Sequence, residues 1–222
     1  MVMKPLRRGR ASAAYTLTEV LVVCAIIGIL SSMMVPSITK AIHNARRARC
    51  AGNLRQISLV LHSYANEHFD RYPQQVARAE GGVREDNDSV PVVEGVLALH
   101  PGVFKVMAGD FKTAQVLVCP ATKFWIARVQ DAAVSNSSYA VNLHARHGES
   151  LVPLIADANV AKQWKELKDF PRTAAQVEMG FTFDRHQALC NVAFGDSHVE
   201  GLKRLKIERP AEGPQRPVRA LR

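Results

Sequence analysis

The pattern of hydrophobic and polar positions predicts a membrane helix near the amino terminus. Residues 20–35 carry no charged side chain and follow directly after Glu19. At ~1.5 Å per residue this run gives roughly 24 Å of helix, less than the ~30 Å hydrocarbon core of a bilayer. The run therefore crosses a membrane only if the flanking turns, residues 16–19 and 36–42, contribute to the span. We expect the helix to continue beyond the apolar run.

The pattern then changes to that of an amphipathic helix. Apolar residues recur at alternating spacings of four and three, at Cys50, Leu54, Ile57, Leu61 and Tyr64. This stripe predicts a helix with one face on a core. Residues 66–73 break the period and end in a proline, so the helix should stop there. Pro36 cannot donate an amide hydrogen, and we expect it to kink or locally melt the helix near the outer face of the membrane.

The second half of the chain contains short runs typical of strands. They lie at residues 116–119, 124–129, 139–143, 151–155 and 192–194. Gly195, Asp196 and Ser197 separate the last run from residues 199–202, which is a hairpin signal. The predicted fold class is α+β. A long N-terminal helix, with a membrane half and an amphipathic half, packs on a small antiparallel β-sheet.

Composition and charge argue against a disordered polymer and against a nucleic-acid-binding protein. The chain has 222 residues, and its 47% hydrophobic content argues against a wholly disordered polymer. The formal net charge of +9 is concentrated at the two ends: residues 1–14 have four basic side chains and no acid, and residues 203–222 have seven basic and two acidic ones. Residues 15–202 are neutral. Nucleic acid is therefore not an expected partner.

Small residues precede the apolar run and are followed by an aromatic residue. Ala14 and Tyr15 adjoin, and with Tyr15 counted as the first position, Glu19 is the fifth, Gly28 the fourteenth and Pro36 the twenty-second. In these positions the sequence resembles the type IV prepilins, including the pseudopilins of type II secretion. The family almost always has glycine before the cleavage site, where this chain has Ala14.

The resemblance implies cleavage between Ala14 and Tyr15 by prepilin peptidase, followed by N-methylation of Tyr15. It also implies that Glu19, Gly28 and Pro36 serve assembly. A carboxylate at the edge of the hydrocarbon costs several kcal/mol unless it is neutralised or paired. Cleavage would supply a partner, because the new α-amino group has an unperturbed pKa of about 8. In the family the amine of an incoming subunit meets the glutamate of one already assembled. A plain signal anchor with an interfacial glutamate is the alternative.

The domains that follow from these patterns are a basic leader (1–14), a transmembrane and assembly helix (15–38), an amphipathic helix (39–72), a globular pilin-like domain (73–202) and a basic Pro/Arg-rich tail (203–222). The resemblance implies a bacterial inner-membrane protein with a cytoplasmic N-terminus and a periplasmic domain. Its partners would be prepilin peptidase, other pilin or pseudopilin subunits, and an inner-membrane platform and motor.

The expected function is that of a structural filament subunit, in a type IV pilus or a type II secretion pseudopilus. No Gly-x-Ser-x-Gly elbow, Walker loop or His-Glu-x-x-His motif points to an enzyme. Two alternatives remain: a minor pilin that binds DNA or a surface through the basic tail, and an uncleaved membrane-anchored binding protein.

Further patterns are similar to those of a large prepilin-like bacterial family. They are a cysteine-led segment at residues 50–57, Cys119 followed by Pro120, a Ser-Tyr-x-x-Asn segment at 138–142, and a histidine followed after nine residues by aspartate. His186 and Asp196 form this last, processing-associated motif. Ser197 stands where the family has glycine, so a turn that needs a positive φ would be strained or rearranged.

Two hypotheses concern the cysteines and the histidine and aspartate residues of these patterns. The first is a disulfide between Cys50 and Cys119, which would clamp the sheet to the helix; buried reduced thiols are the alternative. The second is a metal site assembled from His186, Asp196 and His198, with Asp157 and Asp184 nearby. We favour no metal, since an aspartate that caps its own turn and binds a histidine explains the same residues without an ion.

Calcium is the other cofactor that the sequence allows. The polar loop at residues 78–91 has four acids, Glu80, Glu85, Asp86 and Asp88. Their spacing matches no complete EF-hand, so a solvated loop is the favoured interpretation.

Overall fold

The computed structural model describes residues 15–93, 96–158, 176–180, 186, 189–208 and 220–221. The predicted calls at Ala14 and Asp184 lie outside these residues. The chain divides into two compact units, Met1–Ile42 and His43–Arg222.

The helix α1, Leu17–Glu67, begins in the first unit and contains Pro36 in its interior. Helical structure is unbroken at Pro36, so the local melting expected there does not occur. The fixed φ of proline is compatible with a helix, although its ring removes one amide donor and crowds the carbonyl group four residues earlier. Hydroxyl groups bind carbonyl oxygens of the same stretch: Thr39 Oγ1 lies 2.9 Å from the Pro36 oxygen and 3.2 Å from that of Val35.

In the second unit, the predicted amphipathic stripe of α1 is confirmed. Its five residues are all buried, together with Asn53, Ser58 and Ala65 on the same face. The helix ends at Glu67, where the sequence predicted its end. Tyr72, Pro73 and Gln74, in the turn that follows, are buried.

Within the described residues, the remaining helices and strands are short. In chain order they are β1 (Val92–Val93), β2 (Leu97–Ala98), α2 (Pro101–Val106), β3 (Tyr139–Asn142), β4 (Pro153–Asp157), β5 (Gln176–Gly180), β6 (Cys190–Phe194), β7 (Val199–Leu202), β8 (Arg204–Glu208) and β9 (Ala220–Leu221). Short 3-10 helices lie at Pro73–Gln75, Arg78–Glu80, Arg84–Ser89, Ala114–Leu117 and Val129–Asp131.

The strands form two antiparallel sheets in the described part of the chain. The larger has six strands in the order β1-β2-β3-β4-β6-β7, and the smaller has three in the order β5-β8-β9. The strand β8 lies in the segment predicted as a basic tail. It carries the buried Leu205, so this part of the segment belongs to the folded unit.

Successive side chains of a strand point to opposite faces of the sheet. In the central strands the side chains on both faces are buried. Tyr139, Val141 and Ile155 pack with the buried face of α1 in one hydrophobic cluster. Ala140 and Ala156, their neighbours in sequence, belong to a second cluster with Leu205. The predicted α+β class, with a long helix packed on an antiparallel sheet, is confirmed.

The strand predictions are correct in three of five cases. The runs at 139–143, 151–155 and 192–194 correspond to β3, β4 and β6, and the hairpin between β6 and β7 is present. The runs at 116–119 and 124–129 are wrong: the first overlaps a 3-10 helix, and Phe124 and Trp125 of the second are exposed outside any strand. Leu117, Val118 and Cys119 are buried without strand pairing, and short apolar runs do not distinguish these two outcomes.

The hairpin turn confirms the strain expected at Ser197, whose φ is 68°. A side chain in this left-handed region costs roughly 1–2 kcal/mol relative to glycine.

We therefore predict that Ser197→Gly raises the free energy of unfolding by about 1 kcal/mol, because glycine adopts this φ without a steric penalty. Chemical denaturation of the purified chain in detergent measures the change. Ser150→Gly, at an exposed position without a positive φ, is the control and should give no gain. An equal gain from both variants would contradict the assignment of strain to Ser197.

Candidate functional site

The first turn of α1 is closed by a reciprocal pair of side chains. Glu19 Oε2 accepts hydrogen bonds from the Thr16 backbone nitrogen at 2.8 Å and from Thr16 Oγ1 at 2.7 Å. The Glu19 backbone nitrogen in turn donates to Thr16 Oγ1 at 3.3 Å. This is the capping-box arrangement, in which two amides without helical partners are satisfied together.

Of this pair, the sequence analysis assigns a role to Glu19 and misses Thr16. A Thr-x-x-Glu pattern directly before an apolar run is a known signal for the start of a helix, and it would have identified the pair. The glutamate is thus held in a defined position by its own chain. Tyr15, one residue earlier, is 84% exposed.

The side chains that follow Glu19 form an uncovered apolar surface within the first unit. Large apolar residues from Val20 to Val35 are all more than half exposed. The helix has an 18-residue window with a mean hydropathy of 2.3, none of it buried. Length and composition therefore make it able to cross a membrane, a criterion that signal sequences also meet.

Gly28 and Pro36 lie on this same helix. A Cβ atom added to Gly28 would have no described atom within 4 Å. Packing against the described residues therefore does not explain the glycine. Cys24 is exposed nearby.

Comparison with known families bears on this segment. The Prokaryotic N-terminal methylation motif matches residues 9–35. The chain carries a prepilin-type methylation motif. The match spans Ala14, Tyr15, Glu19 and Gly28 and ends one residue before Pro36. Together with the long apolar helix, it confirms the resemblance to the type IV pilin-like family. No curated protein and no solved structure matches the chain.

A second group of functional side chains lies in the core of the second unit. Cys50 comes from α1, Cys119 follows the 3-10 helix Ala114–Leu117, Asp157 ends β4, and His186 lies before β6. The two sulfur atoms, a carboxylate oxygen and an imidazole nitrogen all lie within 4.8 Å of one another. Cys50, Cys119 and Asp157 are 0% exposed and His186 is 7% exposed.

Close polar contacts link these four side chains. Asp157 Oδ2 accepts a hydrogen bond from Cys50 Sγ at 3.2 Å and lies 3.1 Å from His186 Nε2. The same nitrogen of His186 lies 3.1 Å from Cys119 Sγ. We refer to these four residues as the buried cluster.

Two further polar side chains surround the buried cluster. The Tyr139 hydroxyl lies 3.6 Å from Cys50 Sγ and accepts a hydrogen bond from Asn53 Nδ2 at 3.4 Å. Asn53 Nδ2 also donates to the Val118 carbonyl oxygen at 3.2 Å, which ties the segment before Cys119 to α1.

The electrostatics of the cluster favour charge separation between Cys119 and His186. Hydrogen bonding with Cys50, and then with His186, lowers the pKa of the Cys119 thiol to about 6 despite burial. Desolvation lowers the pKa of His186, but hydrogen bonds to Asp157 and Cys119 outweigh it and raise the pKa to about 9. The hydrogen bond with Cys119 is also the largest influence that raises the pKa of Cys50, followed by burial.

The structure brings together residues that the sequence analysis placed in separate hypotheses. Cys50 and Cys119 are free cysteines in the structure, with sulfur atoms within 4.8 Å of each other, and the disulfide between them stays a prediction. Asp157, which the metal hypothesis placed only near its other ligands, lies next to His186. Asp196 and His198, from that same hypothesis, are not part of the described cluster.

Asp196 instead organises the hairpin turn. Its Oδ1 accepts a hydrogen bond from the His198 backbone nitrogen at 3.1 Å and contacts Nδ1 of the same residue. The His198 ring stacks on Phe194, with ring centroids 4.4 Å apart. The two ends of the processing-associated motif, His186 and Asp196, thus have different partners.

The acidic loop has its own ion pairs. Glu80 lies 3.4 Å from the Arg71 guanidinium, Asp86 pairs with Arg78, and Glu85 accepts a hydrogen bond from the Arg78 backbone nitrogen at 2.9 Å. A calcium ion would have to compete with these donors.

The Asp157–His186 pair is buried, whereas the Asp196–His198 pair is exposed. The effects on stability of removing an aspartate from each pair can therefore be compared. Removal of one partner from a buried pair typically costs about 3–5 kcal/mol, whereas an exposed pair contributes at most about 1 kcal/mol. We predict that Asp157→Ala lowers the free energy of unfolding by about 3 kcal/mol or more, and Asp196→Ala by about 1 kcal/mol or less. Chemical denaturation of both variants measures the difference. Equal losses would contradict the central place of Asp157 in the core.

Proposed function

We propose that this chain is a structural, non-enzymatic subunit of a filament of the type IV pilus or type II secretion pseudopilus kind. Prepilin peptidase cleaves it between Ala14 and Tyr15 and methylates the new amino terminus of Tyr15. The subunit resides in the bacterial inner membrane, with its leader in the cytoplasm and the second unit on the periplasmic side. An inner-membrane platform and motor then transfer it into a fibre of pilin or pseudopilin subunits.

The observation that carries the proposal is the methylation motif at the start of an apolar helix whose side chains are uncovered within their own unit. Such a surface needs lipid or other helices around it. A bilayer would cover it before assembly, and neighbouring subunits would cover it afterwards. Gly28 supports helix contacts of this kind, because small residues let helices approach closely in membranes.

The geometry of Glu19 supports an additional intersubunit role. The hydrogen bonds from Thr16 reach Oε2, and no described donor reaches Oε1. The carboxylate can therefore cap its own helix and still accept a bond from a second donor. An amine produced by cleavage before Tyr15 is a suitable donor, because it is mostly cationic at neutral pH, with an unperturbed pKa of about 8. In the low-polarity interior of a fibre this pair would set the register between subunits.

The mature amino terminus tests the proposed processing step. We expect protein isolated from the membrane of its native host to begin at Tyr15 and to carry one methyl group on its α-nitrogen. Mass spectrometry of the N-terminal peptide measures both. A chain that retains residues 1–14 in the filament fraction would contradict the processing step.

The substitution Glu19→Gln tests the role of the negative charge at this position. Glu19→Gln keeps an oxygen that can accept the Thr16 hydrogen bonds, since glutamine also serves in a capping box. It removes the negative charge. Loss of one partner of a desolvated charge pair costs about 2–5 kcal/mol, so incorporation into fibres should fall by at least about tenfold. Membrane insertion should be unchanged.

Sheared filaments and membranes are compared by immunoblotting to measure this effect. Glu67→Gln, an exposed position at the other end of α1, is the matched control and should assemble normally. Normal incorporation of Glu19→Gln would contradict the proposed ion pair.

A further inference from the structure

The buried cluster brings four potential metal ligands together in the core of the second unit. Two thiols, one carboxylate and one imidazole meet in a core where the other neighbours are mainly apolar. We propose that Cys50, Cys119, Asp157 and His186 bind one Zn²⁺ ion in a closed, tetrahedral site. Such a site is independent of the proposed filament function, and it differs from the interpretation without a metal that the sequence alone favours.

The donor atoms select the class of ion. Thiolate and imidazole ligands suit Zn²⁺, whereas Ca²⁺ and Mg²⁺ require sites built of oxygen atoms. A set of two sulfurs, one nitrogen and one oxygen gives the four ligands of a structural zinc site. With both thiols and the carboxylate deprotonated, the occupied site carries a net charge of −1. The protons displaced from the Cys50 thiol and from the Cys119–His186 pair pass to solvent, which leaves His186 as a neutral imidazole ligand.

The distances fit a site of this size. Usual Zn–S, Zn–N and Zn–O bond lengths at tetrahedral angles place neighbouring ligand atoms about 3.4–3.8 Å apart. In the cluster three of these separations are 3.1–3.2 Å, and all lie within 4.8 Å. The three close separations would widen by a few tenths of an ångström, and the widest pair would close by about 1 Å, to accommodate the ion.

The contacts of His186 Nε2 also favour a metal. This nitrogen lies 3.1 Å from both Asp157 Oδ2 and Cys119 Sγ. A single N–H bond can be directed fully at only one of them. Coordination to a shared ion lets nitrogen, oxygen and sulfur each contribute a lone pair toward one point. The φ of His186 is 48°, so the residue adopts a left-handed backbone conformation where it delivers this nitrogen.

The site would join four separated segments of the second unit. Its ligands come from α1, from the loop after Ala114–Leu117, from the end of β4 and from the segment before β6. Tyr139 and Asn53 form an outer layer next to Cys50. Because all four positions are protein ligands and nearly inaccessible to solvent, the ion would stabilise the fold and leave no open coordination position for catalysis.

A Cys50–Cys119 disulfide is the competing use of the same sulfur atoms. It would engage two of the four side chains and leave Asp157 and His186 as a buried pair beside the bond. Zn²⁺ engages all four. The two states exclude each other, since a disulfide sulfur is no thiolate, and the experiment must therefore distinguish them.

The test uses the full-length chain in detergent, purified with a tag that contains no histidine. After removal of metals with a chelator under reducing conditions, the protein is titrated with Co²⁺ and then with Zn²⁺. We expect one equivalent of Co²⁺ per chain, with the intense charge-transfer absorption of cobalt–thiolate bonds and visible bands of tetrahedral Co²⁺. One equivalent of Zn²⁺ should displace it.

Isosteric variants locate the ligands. Cys50→Ser, Cys119→Ser and Asp157→Asn should each weaken Zn²⁺ binding by about a hundredfold or more, since loss of even an outer partner typically costs 10–100-fold. Cys190→Ser is the matched control, because Cys190 is also a buried cysteine but lies outside the described cluster. It should bind Zn²⁺ like the unchanged chain.

Several results would overturn the proposal. These are the absence of stoichiometric binding by the reduced chain, a Co²⁺ spectrum without thiolate bands, and wild-type affinity in Cys50→Ser and Cys119→Ser. A Cys50–Cys119 disulfide in protein isolated from its host would also overturn it. If the variants fail to fold, zinc-edge X-ray absorption of the unchanged chain decides, with two sulfur ligands expected and none or one contradicting the site. None of these results depends on filament assembly.

Discussion

The carboxylate of Glu19 sits at the start of an apolar helix whose surface is uncovered within its own unit, and this constraint organises the proposed function. A charge in such surroundings needs partners. Thr16 supplies two hydrogen bonds from the same chain, which fix the position of the carboxylate and complete the first turn. Neutralisation of the charge needs a cation, and the proposed cleavage before Tyr15 would create one at the right end of the helix.

In the second unit, the same helix forms part of a core that contains polar side chains. The buried face of α1 packs on a sheet whose central strands are covered on both sides. Polar side chains at the centre of such a core are costly unless each has partners. Cys50, Cys119, Asp157 and His186 satisfy one another there. The proposed Zn²⁺ ion would replace these hydrogen bonds with coordination bonds and connect the same segments more firmly.

The sequence predicts the features that are set by local pattern. The apolar run, the stripe from Cys50 to Tyr64 and the β6–β7 hairpin follow from periodicity and turn chemistry, and the structure confirms them. It does not predict features that depend on contacts between distant residues. Residues 116–119 are apolar but pack without a strand partner, and part of the predicted basic tail is a strand with a buried leucine. The buried cluster was divided between a disulfide hypothesis and a metal hypothesis, because spacing alone does not show that Cys50 and Cys119 lie beside Asp157 and His186.

The structure of the assembled filament, determined by electron cryomicroscopy, tests the central claim most directly. It would place the Tyr15 amino group of one subunit relative to Glu19 of its neighbour. Our account predicts that this nitrogen lies within ion-pair distance of the carboxylate, about 4 Å or less, while Thr16 still caps the helix. A filament in which Glu19 contacts only its own Thr16, with the Tyr15 nitrogen bound elsewhere, would contradict the account.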